Sequence, residues 1–167
     1  MGSPKIEPER PGDEATIAAV TAAAFHNHPY SHGEEPGIIA RLRAAGALSV
    51  SLVAREGTAI IGHVAASPIT LGATHEGWYG LGPISVRPDR QRHGIGSLLM
   101  RAVLETLRAH GARGCVLVGE PAFYRHFGFT ADPSVSHAGV PPEYCLTLRF
   151  VPGTEAGAAQ FHPAFGV

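Results

Sequence analysis

The sequence predicts one α/β domain built on a mixed, mostly antiparallel sheet, and three observations carry that prediction. Residues 48–54 and 59–69 are apolar runs on either side of Arg55-Glu56-Gly57, the layout of an antiparallel hairpin. Residues 78–86 form a further apolar run, followed by a glycine-bearing turn, a stretch of helical period and a short apolar run at 114–119. A strand, a helix and a strand in that order imply a parallel pair joined by a right-handed crossover. The 167 residues are 44% hydrophobic and 16% charged, enough to bury one core and too apolar for disorder. One domain over residues 1–167 is expected, with its core at about 5–151 and a C-terminal tail at 152–167.

In chain order, Ile6 starts a first strand, and Pro11-Gly12 interrupts it. Asp13 is placed to cap a helix with Ile17, Val20, Ala24 and Phe25 on one face, ending before Pro29. After a loop over residues 25–33, Pro36 opens a second helix with Ile38, Ile39 and Leu42 inward and Gly46 closing it. The hairpin follows. Residues 74–77 break the chain before the strand at 78–86, where Pro83 predicts a bulge or a gap in the ladder.

Downstream, a helix is predicted from Ser97 to His110, since Leu99, Val103, Leu107 and His110 recur at helical spacing and Gly111 stands where a left-handed cap is wanted. Residues 114–119 read as a buried strand, Glu120 to Phe129 as a brief helix ending at Gly128, and Tyr144 to Val151 as another strand. In the tail, residues 158–162 are expected as an edge strand.

Charge and composition exclude several classes of function. Thirteen basic and fourteen acidic side chains leave a formal net charge of -1, so neither a nucleic acid nor an anionic membrane partner has bulk electrostatic support. Cys115 and Cys145 lie in apolar runs and read as buried free thiols. The N-terminal residues lack the apolar core of a signal peptide, and no run approaches the roughly 18 apolar residues of a membrane span, so a cytoplasmic location is the expectation. A homodimer through the apolar tail is compatible with the sequence, although no heptad or strong patch indicates one.

The chemistry concentrates between Pro83 and His110. Backbone amides at a helix start have no internal partners and favour phosphate. Gly94 and Gly96 let the chain come close, and Arg90, Arg92 and His93 add charge or donors. A dinucleotide fingerprint would need a small residue at Leu99, and a Walker loop would need Lys then Ser or Thr after Gly96. Neither fits.

Gln91-Arg92-His93-Gly94-Ile95-Gly96 resembles the Q/R-x-x-G-x-G/A signature of the GNAT superfamily of acyl-CoA-dependent N-acyltransferases, with Ile84-Ser85-Val86-Arg87-Pro88 before it as that family's central strand. The segment from Gly119 to Phe129 is similar to the G-D-P-x-Y-Y-x-R-F-G-F pattern of a bacterial subgroup of predicted N-acetyltransferases. Glu120, Phe123 and His126 depart from that pattern, and Tyr124 keeps it. The resemblance runs from about Ile6 to about Val151.

This resemblance implies a mixed, mostly antiparallel sheet splayed at its parallel pair and flanked by helices on both faces. It further implies acetyl-CoA as cosubstrate with no metal. Main-chain groups of Ile84, Ser85 and Val86 would pair with the pantetheine arm, and Gln91, Arg92, His93, Gly94, Ile95, Gly96 and Ser97 would form the pyrophosphate cradle. An amine of a small molecule or a peptide would attack the thioester directly through a tetrahedral intermediate. Tyr124 would protonate the leaving thiolate, and Glu120 is the candidate base, with His63 and Glu76 more remote. His26, His28 and His32 cluster without a zinc spacing and, with Tyr30, would border the acceptor end. A non-catalytic CoA-binding or regulatory domain, another acyl donor and a hydroxyl acceptor remain alternatives.

Overall fold

The computed structural model describes residues 3–29 and 31–166. Strand β1 (Lys5–Pro8) is followed by helices α1 (Glu14–Phe25) and α2 (Glu35–Ala44), then by β2 (Val50–Glu56), β3 (Ala59–Pro68), the short β4 (Thr70–Leu71) and β5 (Trp78–Val86). Helix α3 (Ile95–Ala109), β6 (Gly114–Val118), the single-turn α4 (Pro121–Tyr124), β7 (Val135–Ser136), β8 (Cys145–Arg149) and β9 (Gly157–Gln160) complete the order. The main sheet runs β1-β2-β3-β5-β6-β8 and is antiparallel except for β5 and β6.

Period-two alternation divides the core between the two faces. On β2, Leu52 and Ala54 pack with Leu99, Val103 and Leu107 of α3, whereas Val53 between them packs with Ile17 and Val20 of α1 and Ile39 of α2. Helices therefore cover both faces. The stripe of α3 that does this is Leu99, Met100, Val103, Leu104 and Leu107, all buried. His110, expected on that stripe, is exposed at the helix C-terminus, where its amide caps the last turn.

Two local expectations change. Asp13 stands just before α1, but its carboxylate does not bond the first helical amides. It accepts instead from the Arg10 amide at 2.8 Å and from the Arg55 guanidinium at 2.7 Å, while Arg55 also donates to Glu7 at 2.7 Å. The tail strand is no edge. Strand β9 is the middle of a second sheet ordered β4-β9-β7, pairing antiparallel with Thr70–Leu71 and parallel with Val135–Ser136. Both of its ladder edges are filled, which lets a four-residue strand rich in Gly and Ala hold its place. Beyond it, Phe161 packs against Gly80, and Ala164 packs on Ile38 and Leu42 of α2.

The parallel pair is short. Only Trp78↔Gly114, Tyr79↔Cys115 and Gly80↔Val116 align, and from Leu81 onward β5 shares no pairing with β6. Strand β5 stays on β3, with a register shift opposite Gly82-Pro83, where the bulge is expected. Strand β6 stays on β8 as far as Val118↔Cys145. Each strand remains paired to its own outer neighbour, so a fork opens between them. Among the described residues, no helix is long and apolar enough to cross a membrane.

Candidate active site

The fork leads into an anion cradle. After β5, a short 3-10 turn (Pro88–Arg90) precedes Gln91, and the chain passes through left-handed conformations at Arg92 (φ 68°) and Gly94 (φ 80°) before α3 begins at Ile95. The helix thus starts two residues earlier than the hydrophobic pattern indicates, because the left-handed Gly94 occupies the cap position. The Leu98 amide donates to the Gly94 carbonyl at 3.1 Å. The first-turn amides of Ile95, Gly96 and Ser97 have no helical acceptor, and no described group accepts from those of Arg92, His93 or Gly94. Turn and helix start together form a concavity of donors of the kind that binds phosphate.

Side chains around the cradle divide in ways the motif does not reveal. Gln91 donates its amide to the Val86 carbonyl at 3.0 Å, tying the turn to the end of β5. Arg90 is taken by Glu56, at 2.6 and 3.1 Å, and is not a free charge beside the cradle. Arg92 and His93 are exposed. Ser85 is buried, and its carbonyl is directed at β3, 3.0 Å from where a Cβ on Gly62 would lie. Arg87 donates to Ile61 at 2.7 Å, so by antiparallel alternation Ile84 and Val86 turn their main-chain groups away from β3 and toward the fork.

On the other side of the fork, Val118 ends β6 and the chain turns through Gly119, whose amide donates to the Tyr144 carbonyl at 3.1 Å. Glu120 precedes α4, and its carbonyl accepts from the amides of Phe123 and Tyr124 at 3.2 and 3.3 Å. The Glu120 side chain is exposed and makes no capping bond. Tyr124 is half-buried, in edge contact with Phe123 (centroids 4.9 Å apart) and Phe129 (6.1 Å). Its hydroxyl has no hydrogen-bond partner among the described residues, and burial raises its pKa above the ordinary tyrosine value. Phe123 in turn reaches the cradle, its ring 3.9 Å from where a Cβ on Gly96 would lie. The fold thus brings Tyr124, Phe123 and the cradle together, with exposed apolar surface on Val118, Phe123 and Tyr144.

The remaining sequence candidates separate. His63 is fully buried, and its Nε2 lies 2.8 Å from Ser51 Oγ, so it is not open to an incoming amine. Burial, opposed by Glu9 and assisted by Arg43, pushes its pKa down to about 4. Ser51 also bonds Glu9, which Arg43 grips at 2.9 and 3.0 Å. This polar chain, buried only at His63, spans elements distant in sequence and has no motif. Glu76 is exposed in the segment before β5. His26, His28 and His32 lie exposed between α1 and α2, and the described residues contain no group of three or more His, Cys, Asp or Glu that could hold a metal ion. Tyr30 lies outside the described residues. Cys115 and Cys145 are free and buried, and burial raises both thiol pKa values.

Comparison with known proteins adds to this geometry. The model of the acetyltransferase (GNAT) family matches residues 17–129. The chain is 30% identical over 158 residues to the uncharacterized N-acetyltransferase YhbS of Escherichia coli K12, spanning 94% of this chain and 85% of that protein. Among solved structures it is similar to a GNAT family acetyltransferase from Brucella melitensis in complex with acetyl-CoA, with 46% identity, a TM-score of 0.87 and 97% of each chain covered. Escherichia coli YhbS in complex with CoA shares the fold, with 24% identity, a TM-score of 0.89, and 99% of this chain and 93% of that one covered.

Proposed function

The chain belongs to the acetyltransferase (GNAT) family, and within it we propose an N-acetyltransferase that moves the acetyl group of acetyl-CoA to a primary amine. The observation that carries this reading is the adjacency of unpartnered cradle amides, an open strand fork and the free Tyr124 hydroxyl. Acetyl-CoA fits these features in order. Its pyrophosphate takes the amides from Arg92 to Ser97, with Gly94 and Ile95 at the turn into the helix. Its pantetheine arm lies along β5, where Ile84 and Val86 present main-chain groups to the fork and Gln91 holds the corner. The Brucella melitensis relative, at 46% identity, carries acetyl-CoA.

In this reading the thioester carbonyl sits in the fork, polarised by a strand amide in the manner of an oxyanion donor. A neutral amine attacks the carbonyl carbon, forming a C–N bond and a tetrahedral intermediate. Collapse breaks the C–S bond, and Tyr124 gives its proton to the leaving thiolate. A phenol kept protonated by burial is suited to that task near neutrality. Glu120 is assigned the proton lost by the amine, because its exposed carboxylate follows directly on Gly119 at the end of β6.

The test is thiol release from acetyl-CoA across a panel of amino acids, polyamines, aminoglycosides and peptides with free N-termini or lysines. Saturable release with one class, and the matching acetylated product by mass, supports the reading. Tight CoA binding with no release across the whole panel would sink it in favour of a CoA-binding module.

A further inference from the structure

We infer that the cleft on the outer face of α3 seats the 3′-phosphate of the CoA donor, with Arg101 as its principal contact and Arg108 and His126 beside it. The protein would then discriminate in favour of donors ending in a nucleoside 3′,5′-bisphosphate. This inference rests on the donor reading above and deepens it.

The cleft has a volume of about 320 Å³ and is lined by Arg101, Leu104, Glu105, Arg108, His126 and Phe127. Residues 101, 104, 105 and 108 form one stripe of α3, at helical spacings of three and four. The same stripe passes one turn earlier through Ser97, whose amide belongs to the cradle. At 1.5 Å of rise per residue, Arg101 lies about 7.5 Å further along the axis than Gly96, within the span of one ribose from a pyrophosphate held at the helix start. The wall between is continuous. Phe123 abuts Gly96, its ring centroid is 5.3 Å from that of Phe127, and the Arg101 guanidinium lies over the Phe127 ring at 5.7 Å.

Charge makes the cleft specific. Arg10, Arg43, Arg55, Arg87, Arg90, Arg113 and Arg149 each hold a carboxylate. Arg41, Arg92, Arg101, Arg108 and Arg125 hold none among the described residues, and of these Arg101 and Arg108 line the cleft, resting on the rings of Phe127 and Phe150, the latter at 4.4 Å. Glu105 stands between them yet pairs with neither, leaving the two guanidiniums in excess of the one carboxylate. An arginine backed by an aromatic face keeps its planar fork of donors ordered and available, which suits a phosphate dianion. Buried Leu104 and half-buried Phe127 give the nucleoside an apolar surface.

Calorimetric titration of CoA and of 3′-dephospho-CoA into the wild type, Arg101→Gln and the Arg101→Gln/Arg108→Gln double variant tests the assignment. Both arginines are exposed, so the variants should fold as the wild type does. The expected result is about tenfold tighter binding of CoA than of 3′-dephospho-CoA by the wild type, the worth of one charge-assisted contact. In Arg101→Gln, CoA affinity should drop toward that of 3′-dephospho-CoA, whose own affinity should stay unchanged. Equal wild-type affinities, or a gap that survives in the double variant, overturn the subsite alone. Failure of both compounds to bind the wild type overturns the donor reading and the subsite together.

Discussion

Tyr124 lies against Gly119 so closely that a side chain at position 119 has no room. A Cβ there would sit 3.0 Å from Cδ2 and 3.3 Å from Cζ of the ring, and closer still to Cε2. All three are atoms of a rigid ring, which cannot yield as the end of a flexible chain can. Gly119→Ala must therefore shift either the ring or the turn that ends β6. The expected cost is about 1–3 kcal/mol, as for other overpacked contacts, together with a loss of turnover. Thermal unfolding with steady-state kinetics checks both, and a variant unchanged in both would show that this contact does not position Tyr124.

Tyr124→Phe isolates the hydroxyl from the ring. Phe123 and Phe129 contact the ring itself, so packing is preserved. The expected result is a fall in kcat of roughly 10²–10⁴, the usual contribution of a general acid, with CoA affinity unchanged. Because burial raises the pKa of this phenol above its ordinary value of 10.0, its ionisation should not limit the rate between pH 7 and 9. Turnover equal to wild type, with a confirmed acceptor and an intact fold, would remove the acid assignment.

The two cradle glycines should behave differently. Gly94 is left-handed at φ 80°, where an L-residue is strained by roughly 1–2 kcal/mol. Gly96 lies in the first turn of α3, where an added Cβ meets Phe123 and Val86 at an ordinary 3.9 Å. Gly94→Ala is expected to lower stability and weaken CoA binding at least tenfold, by moving amides that must converge on one ligand. Gly96→Ala should keep CoA affinity within a few-fold and gain up to about 1 kcal/mol of helix propensity. Unfolding midpoints and CoA titrations on both variants decide the matter.

The sheet and the cradle were legible because their signals are local. Alternation at 48–54, the glycine-separated hairpin, and the glycine-bearing turn before the helix each lie within a few residues of chain. What stayed hidden is written across the sheet. Nothing near Arg90 announces Glu56, 34 residues earlier, as its partner. The middle position of β9 depends on β4 and β7, two-residue strands too short to leave a period. The motif singles out Tyr124, but the close contact of its ring with Gly119 shows only in the folded turn after β6.

His63 shows what such a hidden partnership does to stability. Its ring nitrogen meets Ser51, Ser51 meets Glu9, and Arg43 holds Glu9, while Ser85 stands opposite on β5. With a folded pKa of about 4 against an ordinary 6.5, the imidazole is neutral in the folded protein across most of the acid range. Between pH 6.5 and 4 the unfolded chain binds a proton at this position that the folded protein refuses, so stability falls as pH falls through that window. The loss reaches roughly 3 kcal/mol by pH 4. Glu7, Glu9 and Asp13 have folded pKa values below their ordinary 4.5 and 3.8. Their contribution is present above those values and is lost as pH falls through the lower folded ones, so it leaves the range from pH 6.5 to 5 to His63. Urea unfolding should show the wild type losing about 2 kcal/mol between pH 7.5 and 5. His63→Gln, which cannot titrate, should be less stable at pH 7.5 and nearly flat over that interval, with the carboxylate-driven loss below pH 4.5 retained. Should His63→Gln fail to fold, the wild-type imidazole resonances provide the same measurement: one ring should remain neutral at pH 5, and a His63 signal titrating near 6.5 would refute the account.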